Sequence, residues 1–155
     1  LQGAWVFVTV SAGLGAITSS TKVAPELAFY LGLAMWIAGF AIEVIADRQK
    51  TAFRADPANA DAFITTGLWA WSRHPNYFGE IFLWAGIAVI AMPTLQGNQI
   101  YLLLSLIWVV VLLTAISGVR MLESRGNKRW GNDPEYVAYM KRTPMLMLWP
   151  PRKRS

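Results

Sequence analysis

Residues 99–118, QIYLLLSLIWVVVLLTAISG, run for twenty positions without a charged side chain. A helix of that length rises about 30 Å, the thickness of a bilayer's hydrocarbon core. The block does not stand alone. LAFYLGLAMWIAGFAIEVIA (27–46) is equally long and holds one charge, Glu43, near its end. GAWVFVTVSAGLGAITS (3–19) is shorter and rich in Gly and Ser, and 77–92 is short enough to predict a tilted or shallow helix. The pattern predicts an all-α integral membrane bundle of about four transmembrane helices with a cytosolic C-terminal segment.

Charged residues make up only 15% of the 155 positions, against about a quarter in a soluble domain. With no cysteine, disulfides, thiolate metal sites and cysteine nucleophiles are excluded, and a single histidine, His74, excludes a histidine-rich metal site within one chain.

The net charge of +5 is unevenly placed. Lys22 is the only basic residue before Arg48, and the other cations fall in 48–73 and 120–154. Because they flank apolar spans, membrane topology accounts for them better than nucleic-acid binding does. Linker 18–26 has one cation and 93–98 has none, so the linker 47–76 and the tail 119–149 are expected to face the cytosol, with both termini inside. Leu1 opens within apolar sequence and shows no signal-peptide pattern, which is expected of a truncated chain or of a unit that once had upstream helices. Residues 1–149 read as one membrane domain, followed by a basic end segment, 150–155, expected to fray.

Residues 47–54 continue the helical pattern of the second span beyond the hydrocarbon, and DPANADAF (56–63) reads as a turn. In the tail, Gly126 and Gly131 are expected breaks, Asn132-Asp133-Pro134 a helix start and Pro144 a stop.

Three places concentrate polar chemistry. Glu43, Asp47, Lys50 and Arg54 are spaced by four, three and four, and so share one helix face. They form either an ion-pair ladder at the membrane surface or one wall of a polar pocket. In WSRHPNYFGE (71–80), Pro75 suits the first turn of a helix, making Ser72–His74 a lead-in turn and placing Asn76 and Glu80 one turn apart. Arg73 and the helix N-terminus there both favour an anion such as phosphate. Glu135, Tyr136, Tyr139 and Arg142 line one side of a short helix, with Arg129 and Trp130 just before. That set suits either gripping a planar ring and phosphates or lying in the headgroup layer. All three places fall on the side read as cytosolic. Together they suit a soluble phosphorylated cofactor that meets a lipidic substrate from the bilayer.

GLWAWSRHPNYFGE, an apolar helix, and then LESRGNKRWGNDPEYVAYMKRTP resembles the DUF1295 family, a branch of the steroid 5-alpha-reductase C-terminal superfamily, over nearly all of 1–149. The resemblance implies the NADPH-binding half of a multi-helix bundle, with Asn76, Tyr77 and Glu80 approaching the cofactor. It implies the same of Asp47 and Arg54, which match an acidic-then-basic spacing of seven, and of Tyr136, Tyr139 and Arg142. Glu43 stands where the steroid enzymes tend to have an amide. Arg73 and His74 belong to an Arg-His-Pro-x-Tyr block shared with the isoprenylcysteine carboxyl methyltransferases and phospholipid methyltransferases. The glutamate and tyrosine with which the reductases polarise a substrate ketone lie upstream of everything matched here, so the catalytic acid is not assigned.

Three functions follow as expectations. The first is a membrane NADPH-dependent reductase, or its cofactor half, acting on a C=C bond of a lipidic or steroid-like enone in a bacterial inner membrane. The second is an S-adenosylmethionine-dependent membrane methyltransferase, which the Arg-His-Pro block and Glu123 suit. The third is a non-catalytic membrane subunit. A partner chain or a homodimer would complete the enclosure of a cofactor.

Overall fold

The computed structural model describes residues 2–21, 27–116 and 118–150. Lys22 and residues 151–155 of the basic end segment lie outside them. Among the described residues the fold is all-helical: α1 (Gln2–Thr18), α2 (Leu27–Ala55), α3 (Pro75–Ala91), α4 (Leu104–Val111), α5 (Val119–Trp130) and α6 (Pro134–Arg142), joined by short 3-10 turns. Three stretches are long and apolar enough to cross a membrane, Leu27–Ala55, Pro75–Thr94 and Gly97–Trp130, and the chain is built as an integral membrane protein. At 17 residues, α1 is at the lower limit of a span.

The helix starts have local causes. Pro75 fills the first position of α3, where no N–H is required. Asp133 caps α6 by accepting from the Glu135 N–H, with Pro134 at the first position. Thr143 is extended ahead of Pro144, which ends α6. The second span continues as one helix to Ala55, through the polar residues 47–54, and Asp56 then caps a 3-10 turn over Pro57–Asn59.

Small residues every seven positions bring α2 and α3 together. A Cβ added to Gly32 would lie 2.5 Å from the Gly86 carbonyl, and one added to Gly39 would lie 2.5 Å from the Gly79 carbonyl. The two helices therefore touch backbone to backbone, antiparallel, at two levels. Ala46 and Ser72 continue the two series by seven, and both have no exposed surface. A seven-residue repeat keeps one seam facing a partner over several turns. This seam was not among the sequence expectations, and it sets the depth of everything at the polar end.

Ala12 of α1 packs with Ala91 and Leu95 beyond α3. The last long stretch is not one regular helix. It opens as a 3-10 turn (Gly97–Leu103), becomes α4, widens into a π turn (Leu112–Ile116) and resumes as α5. At the bend a side chain on Gly118 would strike the Tyr77 ring. One expectation is corrected. Gly126 does not break the tail; α5 runs through it, and the glycine is needed there because a Cβ would collide with the Tyr136 hydroxyl. Close packing has overridden the helix propensity of glycine. Gly131 does cap α5.

Candidate cofactor cavity

At the polar end, the turn before α3 is fastened to the C-terminal part of α2 and to the tail. Trp69 is buried and donates its indole N–H to the Ala46 carbonyl at 3.0 Å. Gln49 accepts from the Leu68 N–H at 2.9 Å, against Gly67, whose φ of +61° suits glycine alone. The Tyr139 hydroxyl donates to the Trp69 carbonyl at 2.8 Å. Phe63, Trp130, Tyr136 and Tyr139 form an aromatic cluster, with ring centres 5.1–5.9 Å from Phe63. Arg129 donates to Asp61 at 2.7 Å and to the Ala60 carbonyl at 2.6 Å, and Trp130 donates to the Asp61 carbonyl at 2.7 Å. The tail is thus clamped over the linker.

A cavity of about 150 Å³ remains between these parts. Its cations are Lys50, Arg54 and Arg73, its aromatic walls include Phe63, Trp69 and Trp130, and His74 and Glu123 complete its polar lining. Lys50 sits over the Trp69 ring, 5.0 Å from the centroid. One Glu123 oxygen lies 2.8 Å from the Arg73 guanidinium and 3.3 Å from His74 Nε2. Arg73 Nε and His74 Nδ1 are buried and have no hydrogen-bond partner among the described residues. Three cations beside flat aromatic walls suit an anionic ligand with a planar group.

Burial pushes the His74 imidazole below its ordinary range, and the hydrogen bond and charge of Glu123 oppose that push. Burial likewise raises the Tyr136 hydroxyl, and raises that of Tyr139 far more. Both phenols stay protonated at neutral pH.

The ten residues singled out by sequence divide. Arg54, Arg73, His74, Tyr136 and Tyr139 line the cavity. Tyr77 stacks on His74, with ring centres 5.7 Å apart, but does not itself line the cavity. Asp47 and Glu80 are electrostatic neighbours of each other and of Glu43 on the α2–α3 side, and they do not line the cavity. Asn76 is half-buried in the first turn of α3, outside the cavity lining. Arg142 lines two separate hollows on the outer face of α6. Of the two readings of the α2 face, the ion-pair ladder does not form: the ion pairs among the described residues are Arg73–Glu123, His74–Glu123 and Arg129–Asp61. Lys50, Phe63, Trp69 and Glu123 are among the cavity residues that the sequence did not assign to the cofactor site. Lys50 lies on the marked face of α2, and Glu123, which the sequence offered only to the methyltransferase reading, reaches the cavity because α5 folds back on the turn before α3. No group of His, Asp and Glu suited to a metal ion occurs among the described residues.

A family model described as "Protein of unknown function (DUF1295)" matches residues 1–143. No curated protein and no solved structure matches the chain.

Proposed function

The chain belongs to the DUF1295 family, and from that membership and the cavity we propose that it is the cofactor-binding unit of a membrane-embedded, NADPH-dependent reductase. NADPH would supply a hydride to the activated C=C bond of a lipidic or steroid-like enone. The observation that carries the reading is the convergence of Lys50, Arg54 and Arg73 on one cavity walled by Phe63, Trp69, Trp130 and Tyr136.

Arg73, Lys50 and Arg54 hold phosphate groups there. Glu123 fixes Arg73 and His74 in place, and the rings of Trp69, Trp130 and Tyr136 give the site flat apolar walls. A cleft of about 150 Å³ takes a phosphate and its adjoining group, so the rest of a dinucleotide extends past it, where a partner chain or second copy would cover it. In this reading the polar end and both termini face the cytosol of a bacterial inner membrane, as the placement of Lys and Arg favours.

A second reading has one specific observation in its favour. Glu123, a carboxylate within hydrogen-bond distance of His74 of the Arg-His-Pro block, suits an S-adenosylmethionine-dependent methyltransferase that must meet a cationic ligand.

Isothermal titration of the detergent-solubilised protein with each cofactor tests the proposal. Micromolar NADPH binding, weakened roughly tenfold or more by Arg73→Gln, is expected. Binding of S-adenosylmethionine alone would establish the second reading. Binding of neither would make the chain a non-catalytic membrane subunit.

A further inference from the structure

The last described segment, 143–150, has no regular structure, yet it is firmly placed. Pro144 accepts from the Arg73 N–H at 2.9 Å, Leu146 accepts from the Ser72 hydroxyl at 2.9 Å, and the Trp149 N–H donates to the Trp71 carbonyl at 3.1 Å. The segment therefore lies alongside 71–73. That turn is level with Ala46, whose carbonyl holds Trp69. Ala46 closes the apolar run 27–46, which is one hydrocarbon thickness long. The segment is thus fixed at the depth where acyl chains give way to headgroups.

Its side chains alternate at that depth. Met145, Met147 and Trp149 are exposed, Met147 and Trp149 by 61% and 62%, while Leu146 and Leu148 turn inward. Beside them is a hollow of about 440 Å³ lined by Arg73, Lys141, Arg142, Met145 and Trp149. Cations beside exposed methionines and a tryptophan match the chemistry of a phospholipid, with its charged phosphate and its acyl chains.

We propose that residues 141–150 form an interfacial strap that seats the phosphate of an anionic phospholipid against Lys141 and Arg142 in this hollow. Met145, Met147 and Trp149 enter the acyl boundary. Arg73 borders both hollows but is committed to Glu123, and the inference stands apart from the cofactor reading because Lys141, Arg142, Met145 and Trp149 do not line the cofactor cavity.

The natural chain has no cysteine, so a single nitroxide label can be placed cleanly. In nanodiscs of phosphatidylcholine and phosphatidylglycerol, a label on Met147→Cys should collide with oxygen more than with a water-soluble nickel chelate. A label on Lys141→Cys should show the reverse. Native mass spectrometry should show phosphatidylglycerol retained on the wild-type chain. Retention should fall roughly tenfold or more in the double variant Lys141→Gln, Arg142→Gln, and persist in Lys141→Arg. Both substituted residues are exposed, so the variants retain the fold. A Met147 label as open to nickel as the Lys141 label would overturn the strap. Equal phosphatidylglycerol retention by wild type and double variant would overturn the headgroup seat.

Discussion

The Arg73 guanidinium lies 2.8 Å from the Glu123 carboxylate, joining the turn before α3 to α5 across the mouth of the cavity. Their side chains are 16% and 22% exposed, so the pair is neither a surface bridge nor a fully buried one. Surface pairs contribute under ~1 kcal/mol, while breaking a buried pair costs roughly 3–5 kcal/mol. Glu123→Gln should therefore cost about 2 kcal/mol, read as a lowered melting temperature in detergent. An unchanged melting temperature would mean that solvent already screens the pair.

His74 couples the site to pH. Burial, with Arg73 and Lys50, holds its folded-state pKa below the ordinary value of 6.5, and Glu123 pulls the other way without reversing the shift. The unfolded chain then binds the extra proton first. The contribution of the neutral ring to stability is complete above pH 6.5 and declines as pH falls through that value towards the folded-state pKa. Melting temperature should drop between pH 7 and pH 5 more steeply for wild type than for His74→Gln. Parallel curves for the two proteins would remove His74 as the responsible group.

The α2–α3 seam leaves no room for a methyl group at Gly39, where a Cβ would lie 2.5 Å from both Gly79 O and Leu83 N. Both obstacles are backbone, so neither side chain nor rotamer can yield. Gly39→Ala should cost about 1–3 kcal/mol, and Gly39→Leu should abolish folded expression. Gly3→Ala meets open space and should leave stability unchanged. Fluorescence size-exclusion profiles after heating distinguish these outcomes.

Two contacts that tie the tail to the linker should differ in weight. The Tyr139 hydroxyl is buried on the Trp69 carbonyl, whereas Arg129 and Asp61 are 51% and 97% exposed. Tyr139→Phe leaves a buried carbonyl without its donor and should cost about 1–2 kcal/mol. Arg129→Ala should cost under ~1 kcal/mol and less still in high salt. The reverse order in chemical unfolding would mean that the tail is held by charge rather than by aromatic packing.

How far the sequence foretold this arrangement follows from the range of each signal. The apolar blocks, Pro75 at the head of α3 and the Asp133–Pro134 start of α6 are local, and each is where the residue pattern places it. The Arg73–His74 pair was likewise marked by its crowding at the mouth of an apolar helix. Long-range matches were not legible. Gly32 and Gly39 declare a spacing of seven but not that Gly86 and Gly79 answer it. Gly126 has the local character of a break but lies within α5, where it makes room for a ring from α6. The common face of Glu43, Asp47, Lys50 and Arg54 was correct as helix geometry. It splits in function because Asp47 looks towards Glu80 while Lys50 and Arg54 reach the cavity.

The most direct test of the cofactor cavity is an experimental structure of the solubilised protein with NADP⁺ added at saturating concentration. The account predicts phosphate density against Arg73, Lys50 and Arg54, inside the cavity that they line. Nucleotide density anywhere else on the molecule, with that cavity empty, would contradict it.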